Sequence, residues 1–266
     1  MKQNDNDEKL ILVVNDDGVQ AQGIRHLARL MTRLGRVVVV APSGARSGAG
    51  CSITPTQAVR LERLGTDELG IEWVSCGGTP VDCVKIALEH VCHRLPDLVV
   101  SGINHGDNSS ICIHYSGTMG AVLEACMKGL PAVGYSLRTF NKQCNFLPFD
   151  RVVLQVAGHV LQKGLPQDVC LNINFPEVDR LAGARVTRMC RGYWSSEWMP
   201  AQHPHGAEFY WLTGHFDNLE PEAADTDNWA LDHGYASITP IQLDMTARRA
   251  MDELSSCLTT RESNEN

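Results

Sequence analysis

The chain has 266 residues, 43% hydrophobic and 20% charged, with a formal net charge of −8. That length and apolar content suit one large or two small globular domains, and the acidic balance excludes a surface that tracks a nucleic-acid polymer. No apolar stretch approaches the roughly 20 residues of a membrane span, and the polar start at residues 1–9 lacks the apolar core of a signal peptide.

Residues 10–14 are five apolar residues in a row, the pattern of a strand buried on both faces in a parallel sheet. The run breaks into Asn15-Asp16-Asp17-Gly18, all turn formers, with Gly18 free to take positive φ. Two adjacent carboxylates at a strand's C-terminal end repel each other and lose solvation, and a bound cation relieves both penalties. Ligands of open α/β sheets bind along that edge. Taken alone, Asp-Asp-Gly reads more simply as a solvated turn, and the rest of the chain reverses that reading.

Apolar spacing predicts a helix over 24–34 stopped by Gly35, and Val37–Val40 is a second buried strand. Strand, helix and strand in about 30 residues make a right-handed βαβ unit. The small, Gly-rich stretch 43–52 follows on the same sheet edge. Its position, its hydroxyls and Arg46 favour a loop that folds over a ligand rather than a plain linker. Residues 57–75 read as a hairpin at or beyond the sheet edge. Thr79 as cap, Pro80 in the first turn and Asp82 at the free N–H groups mark a helix running to about His93.

Leu98–Ser101 is a further strand, opening at Gly102 into a loop rich in Gly, Asn and Ser. A helix follows from about Ser116 to Lys128, stopped by Gly129. Its Ser116, Gly117 and Thr118 present hydroxyls and free N–H groups at a positive helix end, the best anion cradle in the chain. Residues 131–136 form a strand, 151–163 a helix, and 169–174 the expected last core strand, closed by Pro176. Aromatic segments at 191–194 and 209–212 suggest a projecting hairpin. A short acidic helix at 225–232, a strand at 235–240 and an amphipathic helix at 245–258 complete the pattern.

The expected fold is α/β: a Rossmann-like, doubly wound, mostly parallel sheet in three αβα layers with a C-terminal β-hairpin and helical extension. The simplest division is a polar tail at 1–9, one domain at 10–259 and a polar tail at 260–266. Within the domain, 10–184 is the core and 185–259 a hairpin and oligomerisation extension. The ten cysteines are scattered without a C-x-x-C pair, so they read as reduced thiols in a cytoplasmic protein.

Three strand tips and one helix start converge on one sheet edge, bringing oxygen donors from Asp16, Asp17, Ser47 and Asn104, with Asn108 a further candidate. Hard oxygen ligands favour Mg²⁺ or Mn²⁺ over zinc. With a phosphate cradle beside them, the site reads as metal-assisted phosphoryl transfer to water.

The motifs Val-Asn-Asp-Asp-Gly at 14–18, Val-Ala-Pro and Arg-Ser-Gly-Ala within 40–49, and Gly-Thr-Pro-Val-Asp-Cys-Val at 78–84 occur in that order. Ser-Gly-Ile-Asn-His-Gly at 101–106, Ser-Gly-Thr at 116–118, Phe-Tyr-Trp-Leu at 209–212 and Gly-Tyr-Ala-Ser-Ile-Thr-Pro at 234–240 follow them. Together they resemble the SurE family, the survival-protein E nucleotidases, over nearly the whole chain.

The resemblance implies a 5′/3′-nucleotidase, a phosphoric monoester hydrolase of acid-phosphatase type that releases phosphate from nucleoside monophosphates. Some members also act on short polyphosphate. It further implies one divalent metal ion per subunit, Mg²⁺ or Mn²⁺, on Asp16, Asp17, Ser47 and Asn104. Catalysis falls to Asp16, Asp17 and Asn104, and phosphate contacts to Arg46, Asn108, Ser116, Gly117 and Thr118. Family members are cytoplasmic homodimers or homotetramers that exchange C-terminal segments. Two departures lie near the phosphate region: Met119, where a small or β-branched residue is expected, and Cys112 with His114.

Asp16 has three roles open to it, as ligand only, as base for water, or as nucleophile; ligand plus water activation is the reading taken. His105 is either a general acid or a structural side chain, the latter being the commoner use of a loop histidine. His203-x-His205 lacks the partners of a metal site. Trp194, Trp198 and Trp211 read first as an oligomer interface and second as a base-stacking surface. A non-catalytic nucleotide-binding regulator would share the cradle without needing paired carboxylates. A dinucleotide-dependent dehydrogenase would also be doubly wound, but the first turn is Asn-Asp-Asp-Gly in place of G-x-G-x-x-G, so a pyrophosphate would meet two negative charges.

Overall fold

The computed structural model describes residues 8–141, 143–202 and 206–262. His203 and His205, most of the N-terminal tail and the last residues of the C-terminal tail lie outside the described residues. The first strand, β1 (Leu10–Val14), is buried throughout. Its Ile11 and Val13 enter one hydrophobic cluster, and Leu10, Leu12 and Val14 enter another on the opposite face. A period of two thus feeds both sides of one sheet.

After β1 come α1 (Gln22–Met31), β2 (Arg36–Pro42), and the antiparallel hairpin of β3 (Leu61–Thr66) and β4 (Glu72–Cys76) at the sheet edge. Next are α2 (Pro80–Ile86), β5 (Leu98–His105), α3 (Gly117–Met127), β6 (Ala132–Arg138), α4 (Asp150–Lys163) and β7 (Val169–Pro176). Beyond them lie β8 (Gly183–Val186), β9 (Gly192–Ser195), β10 (Trp198–Gln202), β11 (Glu208–Leu212) and β12 (His215–Asn218). The chain ends in α5 (Asp227–Asp232), β13 (Tyr235–Gln242) and α6 (Arg248–Glu262).

The main sheet has nine strands in the order β3-β4-β2-β1-β5-β6-β7-β13-β8. The run from β4 to β7 is parallel. Side chains of α1 and α4 fill the cluster on one face, and those of α2 and α3 the cluster on the other. This is the expected three-layer, doubly wound architecture. The chain leaves β1 for β2 on one side and returns through β5 on the other, so the β1/β5 boundary is the topological switch point.

Two expectations are corrected. The strand expected to open into a loop at Gly102 continues to His105, with a register shift between Ser101 and Asn104. That irregularity carries Asn104 on a strand end rather than on a free loop. Residues 169–176 are not the last core strand, because β13 pairs antiparallel with β7 and β8 pairs with β13. The sheet therefore reaches past residue 184. Beyond it, β9 pairs with β12 and β10 with β11, giving one long projecting hairpin. Among the described residues no helix is long and apolar enough to cross a membrane.

Candidate active site

The turn after β1 is built by its first and last residues. Asn15 donates its amide to the Gly18 carbonyl at 3.0 Å and accepts the Gly18 N–H at 3.2 Å. Gly18 takes φ +100°, and a side chain there would meet the Gly44 backbone at 3.1 Å, so glycine is required on both conformational and steric grounds. This closed turn presents Asp16 and Asp17 side by side.

Asp16 is 3% exposed. Its carbonyl accepts the Arg46 N–H at 2.7 Å, and its carboxylate accepts the Thr118 hydroxyl at 2.6 Å. Burial, reinforced by the charge of Asp17, raises the carboxyl pKa from 3.8 to about 6 against the lowering effect of the Thr118 hydroxyl and backbone N–H. Gly117 makes the approach possible: a Cβ there would lie 2.7 Å from the Asp16 Cβ and 2.9 Å from its Oδ2. The positive end of α3 thus carries the protein's own carboxylate.

This revises the roles expected of Ser116, Gly117 and Thr118. The Thr118 hydroxyl is committed to Asp16, and the Ser116 hydroxyl accepts the Met119 N–H at 3.0 Å as a helix cap. Gly117 supplies space for the Asp16 side chain. Ser116 alone of the three reaches the cleft wall. Met119 is fully buried with its sulfur against Gly134. That departure from the family pattern therefore belongs to core packing.

Asp17 accepts the His105 backbone N–H at 3.1 Å, with the His105 Nδ1 at 3.5 Å. On its other side the His105 ring meets the Cys144 sulfur at 3.4 Å and the Phe146 ring edge-on at 5.4 Å. His105 is thus wedged between a carboxylate and a thiol while lining the cleft. Sequence reasoning missed Cys144; a cysteine 39 residues away leaves no local signal.

Asn104 is 8% exposed and donates its amide to the Gly106 carbonyl at 3.1 Å, so its side-chain oxygen is not the atom used in that bond. Asn108 is held by Ser136 at 2.7 Å, by Asn174 at 3.0 Å, and by the Asn172 amide on its carbonyl at 2.7 Å. Both asparagines of β7 alternate with apolar residues along the strand, a pattern readable from sequence but not used there. Backbone bonds fasten the 43–52 loop: Ser43 to Cys76, Arg46 to Asp16 and Gly50 to Tyr115. Ser47 lines the cleft, whereas the Arg46 guanidinium donates to the Gly77 carbonyl at 3.1 Å and does not line it.

Asp16, Ser47, Asn104, His105, Asn108 and Ser116 line one cleft of about 390 Å³, within the range of small-molecule sites. Trp194 and Leu212 of the hairpin close its outer side. Among the described residues no group of three or more His, Cys, Asp or Glu side chains forms a metal site. The cleft lining instead brings the Asp16 carboxylate together with neutral amide and hydroxyl oxygens of Asn104, Ser47 and Ser116, while Asp17, beside Asp16 in the turn, is not among the lining residues; oxygen donors of this kind suit a hard divalent cation. A buried carboxyl near pKa 6 beside a second acid is a pair whose charge such a cation offsets, so the residues fit the ion.

The family model described as survival protein SurE matches residues 11–196. A protein named 5′-nucleotidase SurE from Phocaeicola vulgatus is 48% identical over 248 residues, covering 93% of this chain and 96% of that protein. Its namesake from Bacteroides fragilis is 47% identical over 252 residues, covering 95% and 98%. The crystal structure of SurE protein from Aquifex aeolicus superposes with a TM-score of 0.80 at 33% identity, covering 93% of this chain and 99% of that one.

Proposed function

The chain belongs to the survival protein SurE family, and from that membership we propose that it is a divalent-metal-dependent nucleotidase. Its substrates are nucleoside 5′- and 3′-monophosphates, hydrolysed to nucleoside and phosphate, with short polyphosphate as a further substrate. The observation that carries the reading is the buried Asp16 at the β1/β5 switch point, lining one cleft with Asn104 and Ser47, with the partly buried Asp17 next to it in the turn. The names of the relatives support a nucleotidase.

In this reading Asp16, Asp17, Ser47 and Asn104 hold one Mg²⁺ or Mn²⁺ per subunit. Such an ion supplies Lewis-acid charge to the phosphoryl group. Thr118 and the start of α3 fix the orientation of Asp16, and the His105 N–H fixes that of Asp17, so both acids are placed before substrate arrives. Asp16, as base, takes the proton of the attacking water. Ser116 and Asn108 line the cleft where the phosphate sits. His105 holds Asp17 rather than acting as acid, since Asp17 and Cys144 flank both ring nitrogens.

We also infer a cytoplasmic homodimer or homotetramer. Trp198 and Trp211 are 62% and 66% exposed on the outer ladder of the hairpin, and α6 exposes Met251, Leu254 and Leu258. Apolar surface of that extent supports an interface between copies.

The test is phosphate release from a panel of 5′- and 3′-mononucleotides and tripolyphosphate, with Mg²⁺, Mn²⁺ or EDTA. Metal-dependent release abolished by EDTA is expected. Nucleotide binding without any release would replace the enzyme with a binding regulator.

A further inference from the structure

Of the three hairpin tryptophans, Trp194 alone lines the catalytic cleft. It is half-buried, whereas Trp198 and Trp211 stand out from the protein. Strand β9, which carries it, packs on the turn Ser110–His114 directly before α3. Its ring meets Phe216 edge-on, with centroids 6.1 Å apart and planes at 66°. The indole is therefore packed against a second ring at the cleft wall. Tyr115 and Phe140 line the same cleft from two other segments. Asp16, Ser47, Asn104 and Ser116 belong to the polar part of the same lining.

The cleft lining thus combines oxygen donors with aromatic rings. A phosphate ester that engages both carries a flat ring as well as its phosphate. Glu197 also lines the cleft; a carboxylate only accepts hydrogen bonds, and every nucleobase offers an N–H on its edge. We propose that Trp194 is the base-binding residue of this enzyme, stacking on the nucleobase and selecting heteroaromatic nucleotides over aliphatic phosphate esters and polyphosphate. This deepens the nucleotidase reading and rests on it.

Base–aromatic stacking changes binding by about tenfold when the ring is removed. The test compares the unmodified enzyme with Trp194→Leu, which keeps an apolar side chain against Phe216, and with Trp194→Phe. Substrates are adenosine 5′-monophosphate, glycerol 2-phosphate and tripolyphosphate, each with saturating Mn²⁺. For Trp194→Leu the KM for the nucleotide is expected to rise about tenfold with kcat little changed. Trp194→Phe recovers most of that loss, and the loss on the two ring-free substrates is at least fivefold smaller. An unchanged nucleotide KM, or equal losses on all three substrates, overturns the role of Trp194 while the nucleotidase reading stands. If the unmodified enzyme cleaves the ring-free substrates but no nucleotide, both fall.

Discussion

Substituting Asp16→Asn tests the electrostatic account of the site without relying on turnover. The change keeps the shape of the side chain, and the Thr118 hydroxyl still has an oxygen to donate to. What it removes is a charge that the fold holds in a buried place next to Asp17. The displacement of the carboxyl pKa from 3.8 to about 6 is worth roughly 3 kcal/mol at about 1.36 kcal/mol per pH unit.

The direction follows from linkage. With the folded pKa above the unfolded one, the metal-free native state binds the extra proton between about pH 4 and 6, and its stability falls as pH rises through that window. In EDTA at pH 7.5 the Asn variant is therefore expected to be more stable than the parent, by up to about 3 kcal/mol, or roughly 5 °C in Tm. By pH 4 the two curves converge. Mn²⁺ at a thousandfold excess over Kd reverses the order, because only the parent gains binding free energy, about 4.1 kcal/mol. Thermal unfolding at four pH values, with and without Mn²⁺, reads all of this. A variant no more stable than the parent in EDTA at pH 7.5, or stabilised equally by Mn²⁺, would refute the reasoning.

Three further outcomes follow from the same contacts. Asp17→Asn should retain its fold by circular dichroism and lose at least a hundredfold in kcat, since charge at a metal site is worth several kcal/mol; near-normal turnover would remove Asp17 from the site. Gly117→Ala places a Cβ 2.7 Å from the Asp16 Cβ, so Asp16 must move, and a shift of about 1 Å is enough for a loss of order a hundredfold in kcat/KM; full activity would show that α3 can give way. Asp82→Ala strips the capping box of α2 and the carboxylate that also receives Thr54. Denaturant unfolding should show a loss of about 1–2 kcal/mol, against no loss if the cap is redundant.

Much of the scaffold was legible because burial writes a simple pattern. Leu10–Val14 and Val37–Val40 are apolar without interruption, and helices cover both faces of each. Thr79-Pro80 with Asp82 announces a helix start through chemistry that is wholly local, and the capping box is present. The pairing of β13 with β7 is not local, and nothing in Tyr235–Pro240 names its neighbour. The same limit explains the site. That Asp16 and Asp17 face a ligand edge follows from one strand and its turn. That Thr118 bonds Asp16, 102 residues away, and that the Arg46 guanidinium turns to Gly77, depend on contacts a motif does not encode. A hydroxyl at a helix start looks the same whether it serves a substrate or a neighbouring acid.

The polar ties around Asn108 have a mechanical consequence. Side chains from β6 and β7 grip the segment behind β5 at its amide N–H, its carbonyl and its side chain. Its ordering entropy is spent during folding, so little remains to be lost when substrate docks. That wall of the cleft is a fixed anvil.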